Sequence, residues 1–147
     1  MKVSTKGRYA TRILLCIARL GGRERPIPKR RISAEEGISP DYIEQIMVPL
    51  KEAGLVTSSR GSYGGFRLAK DPAAITIYDI LAATDGGVEL VGCLSGGCER
   101  ASSCVMRHVW QGAADLLRNY FSRITLQKLC EEYAARNAEQ LTMFDLD

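Results

Sequence analysis

The sequence predicts a mainly α-helical fold with one small β-hairpin, and three features of its 147 residues point there. Apolar residues recur at helical spacing in blocks that glycine and proline separate. The period turns from helical to alternating once, after Gly54. A further long helical block begins only after a glycine-, serine- and cysteine-rich stretch over residues 86–104.

Residues 5–20 read as the first helix. Thr5 caps it, and Tyr9, Ala10, Ile13, Leu14, Ile17, Ala18 and Leu20 share one side. Arg8, Thr11, Arg12 and Arg19 make a basic stripe opposite, and Gly21-Gly22 ends the helix. Arg23 to Arg31, with Pro26 and Pro28, has no apolar period and reads as a loop or short extended arm. Ser33 then opens a brief helix over Ser33–Glu36, whose acidic pair complements the helix dipole.

Gly37 breaks that helix, and Ser39-Pro40 starts the next with a capping serine and a proline at the first helical position. Over Pro40–Ala53, Ile43, Ile46, Met47 and Leu50 face one side while Asp41, Glu44, Gln45 and Lys51 face the other. Pro49 predicts a kink or an altered last turn. Two short helices joined by a tight, glycine-containing turn form a helix-turn-helix.

Residues 55–59 and 66–69 alternate as strands, and Arg60–Gly65 supplies a flexible hairpin tip. A phosphate-cradling loop would need a helix after these glycines, and a strand-like run follows instead. The hairpin is therefore a wing. Thr76–Thr84 is a short amphipathic helix, stopped by Asp85-Gly86-Gly87. From Val105 to about Ile124 two adjacent apolar seams run along a long helix, a face wide enough to pack on a second subunit or back on its own domain. Leu126, Leu129, Cys130 and Tyr133 carry a last helix, with a frayed end predicted beyond Asn137. The fold class is thus a winged helix-turn-helix plus a long C-terminal dimerisation helix. Its expected divisions are residues 1–84, the cysteine-rich loop 85–104, dimerisation helices 105–137 and a flexible tail 138–147.

At 46% hydrophobic and 25% charged residues, the chain can build one ordinary core and is not a disordered polymer. Its net charge of +3, from 20 Lys+Arg against 17 Asp+Glu, excludes a polybasic binder and makes any anion-binding surface local. No apolar run reaches the ~18 residues of a membrane span. Ile13–Ala18 is also too short for a signal-peptide core and lacks a cleavage site. The expected compartment is a reducing cytoplasm, where cysteines are seldom structural disulfides. The five cysteines are an odd count, and Cys93, Cys98 and Cys104 lie close together.

Two constellations carry chemistry. The first is the winged helix. A recognition helix offers its N-terminal residues to major-groove base edges, here Asp41, Tyr42, Glu44 and Gln45. Gln pairs bidentately with adenine and Glu accepts from cytosine. Arg60 at the hairpin tip suits a narrow minor groove. Lys2, Lys6, Arg8, Lys29, Arg30, Arg31 and Lys51 are available for phosphates. More than half of the positive charge lies in the first 70 residues, which favours DNA over a protein-docking wing.

The second is Cys93-x4-Cys98-x5-Cys104-x3-His108, and His108 is the single histidine. Cys104 and His108 stand one helical turn apart, ~6 Å between Cβ atoms, if the helix begins near Cys104. Three thiolates and an imidazole suit an iron–sulfur cluster or a tetrahedral zinc. A redox thiol pair is a third option, and His108 reads equally well as a helix-surface histidine. Cys16 and Cys130 sit on apolar faces and read as buried, inert hydrophobes. No nucleophile–base pair or paired catalytic carboxylates occur, so the chain is not expected to be an enzyme.

Met1–Ala10, Tyr42–Ile46, Ala53–Val56, Arg60-Gly61, Gly64–Phe66 and Ile124–Leu126 resemble, in order, the IscR/NsrR-type winged-helix transcription regulators. The resemblance spans roughly residues 1–133. It implies a cytoplasmic homodimer held by the long helix over 105–121, through Val105, Val109, Trp110, Leu116, Leu117 and Phe121. It implies double-stranded promoter DNA as partner and no membrane. Glu44, Gln45, Ser58 and Arg60 match the family's DNA-reading positions, with Lys6, Arg8, Ser39, Tyr42 and Gly61 completing the expected interface. Cys93, Cys98 and Cys104 match its cluster cysteines, with His108 as the expected fourth metal ligand.

IscR-like members separate their first two cysteines by five residues and place histidine at C-x2-H, where this chain has gaps of four and three. Some relatives use an acidic residue near the partner's N-terminus, a place that Arg8 holds here. Glu99, Glu89 and an exogenous ligand therefore stand beside His108. The expected cofactor is a [2Fe-2S] cluster, with [4Fe-4S] the alternative. The expected function is a regulator sensing iron–sulfur status, redox or nitric oxide. The alternatives are a cluster-free regulator acting through a protein partner or small molecule, and a zinc-stabilised DNA binder.

Overall fold

The first helix, α1 (Thr5–Arg19), is the centre of the fold because it offers apolar residues on three sides. Ala10, Ile13, Leu14, Cys16 and Ile17 are fully buried. In the computed structural model, which describes residues 2–144, α1 is followed by α2 (Lys29–Glu36) and α3 (Pro40–Glu52). The strands β1 (Val56–Ser59) and β2 (Gly65–Leu68) come next, then α4 (Ile77–Asp85), α5 (Val105–Ser122) and α6 (Leu126–Phe144). Ile32 of α2, Ile43, Ile46, Met47 and Leu50 of α3, Phe66 and Leu68 of β2, and Ile80 of α4 close the core. Each such side chain contributes roughly 1.5–3 kcal/mol by leaving water.

Ser4, rather than Thr5, caps α1. Its hydroxyl accepts from the Gly7 amide at 2.9 Å. The Asp85 carboxylate, arriving from the end of α4, accepts the Ser4 amide at 2.9 Å and its hydroxyl at 2.6 Å. Asp85 outcompetes the local choice because one carboxylate satisfies both Ser4 donors. A Cβ on Gly7 would lie 2.7 Å from Asp85 Oδ2, so the approach requires glycine.

The expected Ser33–Glu36 helix starts four residues earlier, at Lys29. Pro28, at φ −59°, presets the first turn, and Ile32 is the apolar anchor, fully buried. The arm before it is partly ordered. Ile27 pairs antiparallel with Phe66, its amide 2.8 Å from the Phe66 carbonyl and its carbonyl 2.9 Å from the Phe66 amide. Ser33 is not a cap; its hydroxyl donates to the Ile38 carbonyl at 2.7 Å and so holds the turn. Gly37 takes the left-handed conformation at φ 65°, and Arg12 ties α1 to the end of α2 through the Glu36 carboxylate and carbonyl, both at 2.9 Å.

Ser39 caps α3 as expected, accepting from the Tyr42 amide at 3.3 Å. The helix runs through Pro49 to Glu52, and Pro49's own carbonyl accepts from the Ala53 amide at 3.0 Å. β1 and β2 pair antiparallel in the register Val56↔Leu68 to Ser59↔Gly65. Thr76 and Asp79 form a capping box at the start of α4. Beside it, the Ile77 amide bonds the Ile124 carbonyl and the Leu126 amide bonds the Ile75 carbonyl, each at 2.9 Å. That pairing pins the α5–α6 junction, with Leu126 fully buried, to the winged-helix body.

The last helix does not fray at Asn137; α6 continues to Phe144. Residues 134–140 lack glycine and proline and hold Ala, Glu, Gln and Arg, strong helix formers that need no apolar period. Of the tail expected over 138–147, residues 145–147 lie outside the described residues.

Cys16 is buried, and burial, with Glu36 adding to it, pushes its thiol up to about 11. Cys130 is only half-buried, beside the Tyr133 ring on which the Arg19 guanidinium stacks at 3.5 Å. Partial burial raises its thiol as well.

Candidate nucleic-acid interface and cysteine loop

Between α3 and the hairpin runs a groove of about 860 Å³. Lys29, Arg30, Lys51 and Arg60 line it with one carboxylate, Glu44. That balance makes the groove locally cationic, which a net charge of +3 conceals. Ser58 and Gly61 line the groove too. Gly61 sits at φ 100°, a conformation that glycine adopts without strain.

Glu44 forms an ion pair with Lys29, whose hydrogen bond and charge hold its carboxyl below the ordinary range. The pair links the face of α3 to the start of α2. Gln45 is exposed next to it. Other expected contacts lie outside the groove lining. Ser39 is engaged as the α3 cap. Tyr42 packs its ring edge-on against Tyr9, centroids 5.8 Å apart, with Arg12 5.5 Å above Tyr9. Lys6 and Arg8 are on α1, and Arg8 donates to the Thr5 hydroxyl at 3.4 Å.

Val48 was not among the sequence candidates, yet it lines the groove and is 49% exposed. The signal was present: an apolar, β-branched residue on the polar stripe of α3. An aliphatic side chain there suits a thymine methyl.

Residues 86–104 hold turns but no helix or strand. Cys93, Cys98 and Cys104 are free and half-buried, and Cys104 is the N-cap residue of α5. Arg107, one turn into α5, donates to the carbonyls of Cys93 and, at 3.4 Å, Leu94. Ser95 donates to the Glu89 carboxylate. His108 is exposed.

Among the described residues, no three His, Cys, Asp or Glu side chains are gathered closely enough to hold a metal ion. The loop therefore keeps Cys93, Cys98, Cys104 and His108 near in sequence without assembling them. Their donor chemistry nonetheless fits an iron–sulfur cluster: three unpaired thiols, on backbone that no ladder holds, beside the positive end of a helix dipole.

The face of α5 is largely uncovered. Val105 is 79% and Leu116 73% exposed, Met106, Val109, Trp110 and Tyr120 are also open, and Leu117 and Phe121 are half-buried. Ala114 is the helix's one buried residue. No helix of the described residues is long and apolar enough to cross a membrane.

Comparison with known proteins agrees with this geometry. Residues 3–132 match the Rrf2 family, described as an iron-dependent transcriptional regulator. The chain is 36% identical over 130 residues to the HTH-type transcriptional regulator IscR of Escherichia coli, covering 88% of this chain and 80% of that protein. Among solved structures it is similar to CymR (YrzC), described as the global cysteine regulator of B. subtilis. The TM-score there is 0.76, with 33% identity over 90% of this chain and 98% of that one. It is also similar to T. potens IscR, with TM-score 0.70 and 30% identity over 90% and 88% of the two chains.

Proposed function

Because the chain belongs to the Rrf2 family of transcriptional regulators, with a DNA-binding winged helix, we propose that it is a homodimer whose promoter binding is set by an iron–sulfur cluster. The observation that carries this reading is the placement of three free, half-buried thiols in the irregular loop that leads into α5. Cys93, Cys98 and Cys104 would hold the cluster, and His108, Glu89, Glu99 or an external ligand would complete it. When bound, such a cluster supplies a centre that oxidants or nitric oxide alter. The chain acts by binding, and no catalytic step is assigned to it.

The loop is bracketed by two anchors, and this supports a coupling. At its start, Asp85 clamps the N-terminus of α1 through Ser4. At its end stands α5, whose open apolar face supports packing on a second copy. A change in loop conformation therefore bears on the angle between dimer helix and winged helix. Half-sites lie ~34 Å apart or a multiple of it, so a small change of angle misplaces one recognition helix. A coupling of about 1–3 kcal/mol changes affinity roughly 5–150-fold.

Anaerobically purified protein should be coloured and contain iron and sulfide, and lose both when Cys93, Cys98 and Cys104 are replaced by Ser. A colourless, zinc-loaded protein overturns the cluster reading. A second reading, a cluster-free regulator acting through a protein partner, is favoured by thiols that stand apart. It predicts that promoter DNA is retarded only when that partner is added.

A further inference from the structure

Tyr63 is the most exposed large apolar or aromatic side chain among the described residues, at 94%. Nothing in the fold requires it. Yet the backbone that carries it forms a hydrogen-bonded turn. The Gly64 amide bonds the Gly61 carbonyl at 3.0 Å, closing a four-residue turn with Ser62 and Tyr63 at its tip. A Cβ on Gly64 would stand 2.3 Å from the Ser59 carbonyl oxygen, so the turn has no room to open toward β1. Below it, the strand register and the pairing of Ile27 with Phe66 brace the hairpin on the body.

A braced hairpin presenting one bare aromatic ring to water is costly to solvation and useful for contact. The neighbouring charges say what it contacts. Arg60, three residues earlier, lines the groove with Lys29, Arg30 and Lys51. These cations suit phosphates, and Tyr63 stands at the tip of the same hairpin, between the groove-lining residues Ser62 and Gly64. Tyrosine also suits such a place, since its ring packs on sugars and base edges while its hydroxyl stays hydrated.

We infer that Tyr63 is a wing-tip contact that inserts its ring into the minor groove of duplex DNA beside Arg60, and that it prefers an easily deformed base step. The inference rests on the DNA-binding reading and assigns within it a residue whose contribution is apolar. Arg60 supplies charge; Tyr63 supplies ring contact. The two are therefore separable by salt.

The test uses the full chain, prepared anaerobically and also stripped of metal, taking whichever form binds more tightly. The probe is a fluorescein-labelled duplex of roughly 30 base pairs, enough for two half-sites, enriched by the wild-type chain from a randomised pool. Tyr63→Ala should weaken binding about tenfold, the effect of losing ~1.4 kcal/mol of contact, while Tyr63→Phe stays within about twofold of wild type. The slope of log affinity against log salt should be unchanged in Tyr63→Ala and reduced by about one in Arg60→Ala. Both tyrosine variants fold, since the side chain touches no core. Unchanged affinity in Tyr63→Ala overturns the inference, as does an equal loss in Tyr63→Phe, which would mean a hydroxyl hydrogen bond. If the wild-type chain enriches no duplex, the DNA-binding reading falls with it.

Discussion

Asp85 is the carboxylate on which the start of α1 depends. It takes both donors of Ser4, and Ser4 in turn takes the Gly7 amide. Gly7→Ala places a methyl 2.7 Å from Asp85 Oδ2 and should push that carboxylate away. The expected loss is about 1–2 kcal/mol in urea unfolding, the size of a lost cap with its charge-assisted partner. Asp85→Asn, which turns one of the two acceptor oxygens into an amide donor facing Ser4, should cost a similar amount. Cys16 makes a pH prediction of its own. Its pKa rises from 9.0 unfolded to about 11 folded, so its stabilising contribution is complete below pH 9 and is lost as pH rises through 11. The gap between unfolding curves at pH 8 and at about pH 11 should be smaller for Cys16→Ala than for wild type.

At the scale of elements, α5 leaves most of its apolar face uncovered, and the proposed dimer would cover it. Leu116→Glu introduces charge on a residue that is 73% exposed, so the monomer keeps its fold. Sedimentation should show dimer for wild type and monomer for the variant, because a buried unpaired carboxylate in an interface is expensive. Arg107→Ala removes the donor that joins α5 to the Cys93 and Leu94 carbonyls. Loop amides should then exchange faster with solvent by hydrogen exchange, with α1 to α4 unaffected.

The elements differ in how legible they were. α1, α3 and α5 show strong apolar periods, and the hairpin shows its glycines, so the chain order and wing could be read directly. The start of α2 was hidden because Lys29, Arg30 and Arg31 carry no period and Ile32 alone anchors them. The length of α6 was hidden for the opposite reason, since beyond Tyr133 propensity rather than burial sustains it. Within the groove, Glu44 and Arg60 were legible from residue type and place, and Ser58 only through the family resemblance. The Lys29–Glu44 pair and Val48 depended on how α2, α3 and the hairpin meet. Asp85 reaching Ser4 spans 81 positions, and no local pattern signals such a contact.

For the whole molecule, the division of labour follows the charge. Cations gather along the groove of a compact winged helix, and three of the five thiols lie, apart from one another, in a loop outside that core. Asp85 at one end of the loop and α5 at the other make the loop the one irregular stretch joining the winged helix to the exposed helix. On the proposed reading, the state of this loop sets DNA affinity. The direct measurement is an anaerobic titration of one promoter duplex with cluster-loaded and cluster-stripped protein at a single salt concentration. The two affinities should differ by roughly 5–150-fold, with the difference abolished when Cys93, Cys98 and Cys104 are replaced by Ser. Equal affinities for the loaded and stripped protein would contradict it.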